Sequence, residues 1–254
     1  MPVAFASGMD LISNIAVSRA VAQQRTLDVI ANNIANANTP GYRAERVQFS
    51  DWLSRQTGTA SPPGGRTIAY SQDRATWREQ QPGTLTRTAN PLDVATAGDG
   101  YFTVNTPRGP RLTRDGRFGL MPNGTLADSA GNPVLNTAGQ PIQFAPSDST
   151  ITIAGDGTVS SENGQIGRIG IVRPSDPLRL AAEGNTLVRA DTPTTPVATP
   201  QIVQGAIEGS NVEPVLEMTR MMDGLRQFQA LAQFMQSEGD RQQSVIDKLL
   251  PATQ

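Results

Sequence analysis

Few side chains in this 254-residue chain could carry out chemistry, and their types narrow the options quickly. Asp93, Asp99 and Asp115 fall in one stretch, and a pair of carboxylates is enough for general acid–base hydrolysis of a glycosidic bond. Nothing in their spacing fixes the separation such a pair needs, and an aromatic content of 5% is thin for a sugar-binding cleft. Ala97-Gly98-Asp99-Gly100 is echoed at Ala154-Gly155-Asp156-Gly157. A Gly-Asp-Gly element could begin a calcium or phosphate loop, but neither copy continues with EF-hand, Walker or dinucleotide-binding spacing. Turn chemistry explains both copies. Asn123-Gly124-Thr125 matches a glycosylation acceptor, and its Asn-Gly pair is equally explained by a hairpin turn.

The residues that are missing exclude more. Without histidine there is no Ser–His–Asp triad and no imidazole metal ligand. Without cysteine there is no thiol nucleophile, thiolate zinc site, iron–sulfur cluster or disulfide. Lysine occurs once, as Lys248. No catalytic, cofactor-binding or metal-ligating residue is therefore assigned, and no small-molecule substrate is expected. A net charge of −2 without a basic block argues against nucleic acid. The opening MPVAFASGMDLISNIAV lacks a basic n-region, so no cleavable signal peptide is expected. No apolar window approaches the length of a membrane span.

Most of the 24 glycines and 19 prolines lie between Gly41 and Gly205, and the chain ends are helix-like. Near the N-terminus, Ser7 and Asp10 read as a cap and Asn38-Thr39-Pro40-Gly41 as a stop, predicting a helix from about 10 to 37. Within it Ile12, Ala16, Ala20, Gln23, Leu27, Ile30, Ile34 and Ala37 recur every three or four residues. Near the C-terminus, Ser210-Asn211-Val212-Glu213-Pro214 reads as a cap with proline in the first turn. Met218, Met221, Leu225, Phe228, Ala232, Met235, Gly239, Gln242, Ile246 and Leu249 then repeat the spacing, predicting a helix from about 212 to 250. Two such seams suggest that the chain ends pair as an antiparallel coiled coil, the alternative being core helices packed on the middle of the chain.

The middle has the rhythm of short antiparallel strands. Asp115-Gly116, Asn123-Gly124, Gly131-Asn132 and Gly139-Gln140 read as turns among the apolar runs Tyr101–Val104, Arg117–Met121, Pro133–Leu135, Ile142–Phe144 and Ile151–Ile153. Gln165–Arg173 and Asn185–Arg189 form a further set, and 57–66 and 191–200 read as flanking linkers. The expected fold is α+β. Residues 1–42 and 206–254 form a discontinuous helical assembly domain, 43–89 an extended connector, and 90–200 an antiparallel β domain.

The most specific stretch is Ala31-Asn32-Asn33-Ile34-Ala35-Asn36-Ala37-Asn38-Thr39-Pro40-Gly41-Tyr42. Asparagine is a poor helix former, so its accumulation here costs helix stability. Either the helix end is rich in caps, or amides such as those of Asn33 and Asn36 hydrogen-bond across a helix interface and fix its register.

Asn33 through Tyr42 resembles the N-terminal signature of the bacterial flagellar rod and hook family, with Thr39, Gly41 and Tyr42 on its characteristic positions. Leu92-Asp93-Val94-Ala95 running into Gly98-Asp99-Gly100-Tyr101 resembles that family's entry to its β domain, and Leu112-Thr113-Arg114-Asp115-Gly116-Arg117-Phe118 its hairpin. Glu208-Gly209-Ser210-Asn211-Val212 followed by Glu217-Met218 resembles the start of its C-terminal helix. The motifs occur in order over nearly the whole chain.

The resemblance implies a structural component of the proximal rod, with the distal rod or a short hook-type protein as alternatives. A secreted β-domain enzyme or binding module with a helical stalk is the opposing class. It further implies export through the flagellar type III apparatus without a cleaved signal, and a place in the rod within the periplasm. The partners it implies are copies of this chain and other rod proteins. The assembly interface expected on this basis comprises Leu27, Ile30, Asn33, Ile34, Asn36 and Ala37 on the first helix. On the second it comprises Met218, Met221, Leu225, Phe228, Met235 and Ile246.

Overall fold

The computed structural model describes residues 3–56, 66–184 and 186–249, with side-chain surroundings given for 16–48, 76–184, 186–241, 243 and 244. The side chains of Ile12, Gln242, Ile246 and Leu249, most of the 57–66 linker, and Asn185 lie outside the described residues. The fold is α+β. An N-terminal helix, α1, spans Val3–Ala35 and a C-terminal helix, α2, spans Pro214–Leu249, with antiparallel strands between them. At 1.5 Å rise per residue the helices are about 50 and 54 Å long. α1 begins before the cap predicted at Ser7, because Val3 through Ala6 contain no breaker. It ends where Asn36-Ala37-Asn38 turns ahead of Pro40, a residue that disfavours helix before it.

The chain divides into two compact units. The first comprises Met1–Ile34, Glu45–Thr76 and Pro214–Gln254, and the second Ala35–Ala44 and Trp77–Glu213.

In the first unit, strands Glu45–Gln56 and Arg66–Arg78 pair as a two-stranded sheet. α1 buries Ala16, Leu27, Ile30 and Asn33, three or four residues apart where they cluster, and half-buries Ala20, Gln23 and Ile34. On α2 the covered positions are Glu217, Met221, Gly224, Phe228, Leu231, Met235 and Glu238. This face shares Met221, Phe228 and Met235 with the predicted seam but replaces Met218 and Leu225 by Glu217 and Gly224. The rotation has a steric cause. A Cβ on Gly224 would lie 2.8 Å from Leu27 Cδ2, and the Gly224 carbonyl accepts a bond from Gln23 Nε2 at 3.2 Å. The helices approach closely where α2 has no side chain, which aims the Met218 and Leu225 row elsewhere.

In the second unit, a six-stranded antiparallel sheet has the order Leu180–Ala182, Leu187–Ala190, Gly109–Thr113, Tyr101–Thr106, Ile171–Pro174 and Thr194–Pro196. A three-stranded sheet orders Gly164–Arg168, Thr158–Ser161 and Ile151–Ile153. Short pairs join Val94–Thr96 to Ile202–Gln204 and Leu85–Arg87 to Ala206–Glu208. Strand alternation sends Phe102 and Val104 into the main core with Val94, Leu126, Val134 and Val159, while Tyr101 joins Leu112 and Val188 in a second cluster. Phe118 stands edge-on to Phe102, with centroids 5.2 Å apart.

The turns expected at Gly124, Gly131 and Gly139 have positive φ, as tight turns require. Gly116 is used differently. The Val94 N–H donates to its carbonyl at 2.9 Å, and a Cβ there would lie 1.5 Å from the Val94 oxygen, so only glycine admits this contact. The 191–200 segment read as a linker contributes the edge strand Thr194–Pro196, a position where proline is tolerated because one side of the strand is unpaired. Among the described residues no helix is long and apolar enough to cross a membrane.

Candidate assembly site

Two buried polar clusters occupy the motif segments, one in each unit. In the first unit Asn33 is fully buried. Its Oδ1 accepts from the Glu45 N–H and its Nδ2 donates to the Glu45 carbonyl, both at 2.9 Å. One amide thus satisfies both backbone groups of a strand's first residue, as a neighbouring strand would. The second Nδ2 hydrogen approaches Glu217 Oε2 at 3.4 Å. Glu217 is 1% exposed in the first turn of α2, where the helix dipole favours a carboxylate, and it binds Arg46 at 2.8 Å as well as Arg220. Asn36 acts locally instead, accepting from Thr39 Oγ1 at 3.2 Å in the turn after α1.

In the second unit Gly41 has φ +67°, and a Cβ there would lie 2.4 Å from the backbone of Arg114 and Asp115. Its N–H donates to the Glu208 carbonyl at 2.8 Å. Tyr42, Ala44 and Val212 form a small apolar cluster with Ala37 beside it. The sequence reads Ser210-Asn211 as a helix cap. In the fold Ser210 Oγ does accept from the Val212 N–H, but the Asn211 amide takes the Ala44 N–H at 2.7 Å and donates to the Gln81 carbonyl at 2.9 Å. Asn211 therefore ties together three chain segments.

Beneath these residues Glu208 faces two guanidinium groups, with Arg114 Nη1 at 3.0 Å and Arg43 Nη2 at 3.6 Å, and all three residues are at most 4% exposed. Gly83 N–H also donates to Glu208. The Tyr101 ring lies 5.0 Å from the Arg114 guanidinium and 5.7 Å from that of Arg43, close enough for cation–π attraction to both. Burial first, and the nearby Arg43 charge second, lower the Arg114 pKa against the opposing pull of Glu208. Two buried cations thus share one carboxylate.

Arg114, Glu208 and Glu217 stand inside the sequence motifs and Arg43 directly follows the first of them, but the sequence alone assigns none of the four a role. The signal that could have found them is a charged residue set among glycine and apolar neighbours in or beside three of the motifs.

The acidic candidates do not form a catalytic pair. Asp93 is buried and accepts from Asn90 Nδ2 at 3.0 Å, while Asp99 is exposed and pairs with Arg173 at 3.5 Å. Asp115 accepts from the Arg117 N–H, and burial raises its pKa. Asp156 takes the Thr158 N–H and hydroxyl in a turn. Gly98 is open to space, whereas a Cβ on Gly100 would meet Ile171 Cγ2 at 2.4 Å. Among the described residues no group of three or more His, Cys, Asp or Glu could hold a metal ion.

Of the remaining interface candidates, Leu27 and Ile30 are buried, and Ile34, Ala37, Met221, Phe228 and Met235 are half-buried. Met218 is 51% exposed and Leu225 45%, continuing a row with Met222, and Val17 and Val21 of α1 are exposed too.

Three family models match parts of the chain. They are the flagella basal body rod protein (residues 14–43), the flagellar hook protein FlgE/F/G D1 domain (95–161) and the flagellar basal body rod FlgEFG protein C-terminal (203–248). The chain is 36% identical over 243 residues to the flagellar basal-body rod protein FlgF of Caulobacter vibrioides, covering 95% of this chain and 98% of that one. It is 37% identical over 239 residues to FlgF of Mesorhizobium japonicum, covering 92% and 96%. Against the rod protein FlgG of Bacillus subtilis the identity is 32% over 249 residues, covering 88% and 93%.

Proposed function

This chain belongs to the flagellar basal-body rod family, and on that premise we propose that it polymerises through its terminal helices into the proximal rod, the shaft that transmits torque. It is a FlgF-like structural component of the basal body rather than an enzyme. The observation that carries the polymerisation reading is the row Met218, Met222 and Leu225, left about half exposed on a helix whose other face is covered.

A single subunit cannot bury a narrow apolar row on both sides of a helix, and a neighbour that covers it stabilises the bound arrangement by mass action. If the contact is heterologous and does not close, repetition yields a helical filament. In this reading α1 and α2 pair as an antiparallel coiled coil around Gly224, Leu27 and Gln23. Leu27, Ile30, Asn33, Ile34, Met221, Phe228 and Met235 hold the pair, Asn36 and Ala37 finish its end, and Met218 and Leu225 meet the next subunit.

The helical ends are the assembly domain and the β-rich part, 90–200, is the outer one. The partners are copies of this chain and adjoining rod proteins. The subunit reaches the periplasm through the flagellar type III export apparatus. The similarity to FlgG supports a place in the distal rod as a second reading.

Leu225→Asp tests the proposal. The variant should accumulate to normal levels in cells yet abolish swimming and be missing from purified basal bodies by mass spectrometry. Normal swimming would overturn it. The rod proteins that co-purify next to the wild-type chain separate the proximal from the distal position.

A further inference from the structure

The buried charge cluster of the second unit has a property that helix-mediated assembly does not use. Arg43, Gln80, Asp99, Tyr101, Arg114 and Arg173 wall a cavity of about 220 Å³. Arg43 directs Nη1 to Gln80 Oε1 at 3.1 Å and to the Tyr101 hydroxyl at 3.5 Å, while its buried Nε has no hydrogen-bond partner and its buried Nη2 has only Glu208, 3.6 Å away and beyond hydrogen-bond range. Arg114 uses Nη1 on Glu208, and its buried Nε is likewise unpaired.

The Nε/Nη2 edge of a guanidinium is a two-pronged donor whose spacing matches the two oxygens of a carboxylate. With two guanidinium groups and one Glu208, the buried cluster also carries one uncompensated positive charge. At the cavity's exposed side Arg173 holds Asp99 in a solvent-exposed pair 3.5 Å long, a kind of contact that gives way at little cost.

We infer that this cavity receives a carboxylate side chain, Asp or Glu, from a neighbouring subunit of the rod, with Arg43 and Arg114 as its charge partners and Arg173 at the mouth. The incoming carboxylate neutralises the cluster and supplies an acceptor for donors that Glu208 leaves without a hydrogen bond. A subunit held by its helices supplies that group at a high effective concentration, which a free anion lacks. The inference rests on the rod reading and adds a second, polar contact to it, made by the β unit.

The test uses the full chain in cells, carrying a photo-crosslinking residue either at Ser175, on the cavity wall, or at Leu225, on α2. The Ser175 position should capture a peptide of an adjoining rod subunit that contains Asp or Glu. Arg173→Glu should cut that yield roughly fivefold or more, the scale of one charge-assisted hydrogen bond, and Arg173→Lys should restore it. Capture from Leu225 but not from Ser175 overturns this inference and leaves the rod reading standing, whereas capture from neither removes both. Ser175 capture that is indifferent to Arg173→Glu also overturns it.

A second arm titrates the purified chain with acetate and with inorganic phosphate while following the Nε–H resonances of Arg43 and Arg114. Shifts there without subunit capture at Ser175 would make the cavity a free-anion site and overturn the neighbour as its source.

Discussion

The two units bury their apolar residues to different degrees. In the β unit Phe102, Val94, Val104, Leu126, Val134 and Val159 are completely enclosed by residues of the same unit. In the helical unit α1 covers one stripe, but α2 leaves Met218, Met222, Leu225 and Phe234 about half exposed. Both contain a buried carboxylate paired with arginine, Glu217 in one and Glu208 in the other, so polarity does not separate them. The difference lies in closure. A sheet folded over its own core satisfies itself, whereas a long helix has more apolar perimeter than one partner helix can cover. A subunit built this way can be stable through its β unit while its helices remain ready for further contacts.

The contrast is open to attack at several points. Phe102→Ala should be the most damaging, removing about 3–5 kcal/mol from the β unit, as read by urea denaturation. A loss below about 1 kcal/mol would mean that this core is not what closes the unit. Glu208→Ala should follow at about 3 kcal/mol, because it strands Arg43 and Arg114 as buried like charges. Unchanged stability would show that water already compensates them.

Gly224→Leu should cost about 1–3 kcal/mol through overpacking against Leu27, and should lower hydrogen-exchange protection in α2 while leaving that of Phe102 and its neighbours intact. Loss of protection in both regions would erase the distinction between the units. Leu225→Asp, at an exposed site, should change the stability of the isolated chain by no more than about 0.5 kcal/mol. That neutrality, set beside lost motility, is the sharpest form of the comparison.

The smallest effect is local. Glu162 accepts from the Ser149 N–H and hydroxyl and from the Thr150 N–H, which lowers its pKa from 4.5 to about 2. A carboxylate with a depressed folded pKa stabilises the turn fully above its unfolded value and ceases to do so as pH falls through the folded one. Amide protection at Ser149 and Thr150 should therefore persist well below pH 4.5 and disappear near pH 2. Loss of protection near 4.5 would mean that these bonds do not stabilise the carboxylate, and protection that survives its titration would mean that the turn is held by other contacts.

The helices, the strands and the turns at Gly124, Gly131 and Gly139 were legible because their signals are local. Periodicity, caps and the positive φ of glycine involve residues only a few positions apart. The strand Thr194–Pro196 was hidden because two prolines and a run of threonines look like a linker, and only pairing with Ile171–Pro174 makes the segment a strand. Gly116 looked like a turn glycine, although its reason is the Val94 oxygen. The face that α2 covers within this chain runs one position off the apolar row on alternate turns, through Glu217 and Gly224 in place of Met218 and Leu225, which hydrophobicity alone favours. The covered face was instead set by close approach at a residue without a side chain.

The sequence by itself determined the terminal helices and the strand-rich character of the middle, the lack of histidine and cysteine chemistry, and the family motifs in their order, since all of these follow from residue identity and short-range spacing. Only the tertiary structure decided which motif residues carry charge into the interior. Arg43, Arg114 and Glu208 lie far apart in the chain, and their shared burial depends on the strand Ala206–Glu208 pairing with Leu85–Arg87 and on Gly41 passing against the backbone of Arg114. Charge compensation in a low-dielectric interior depends on distances that local sequence does not encode.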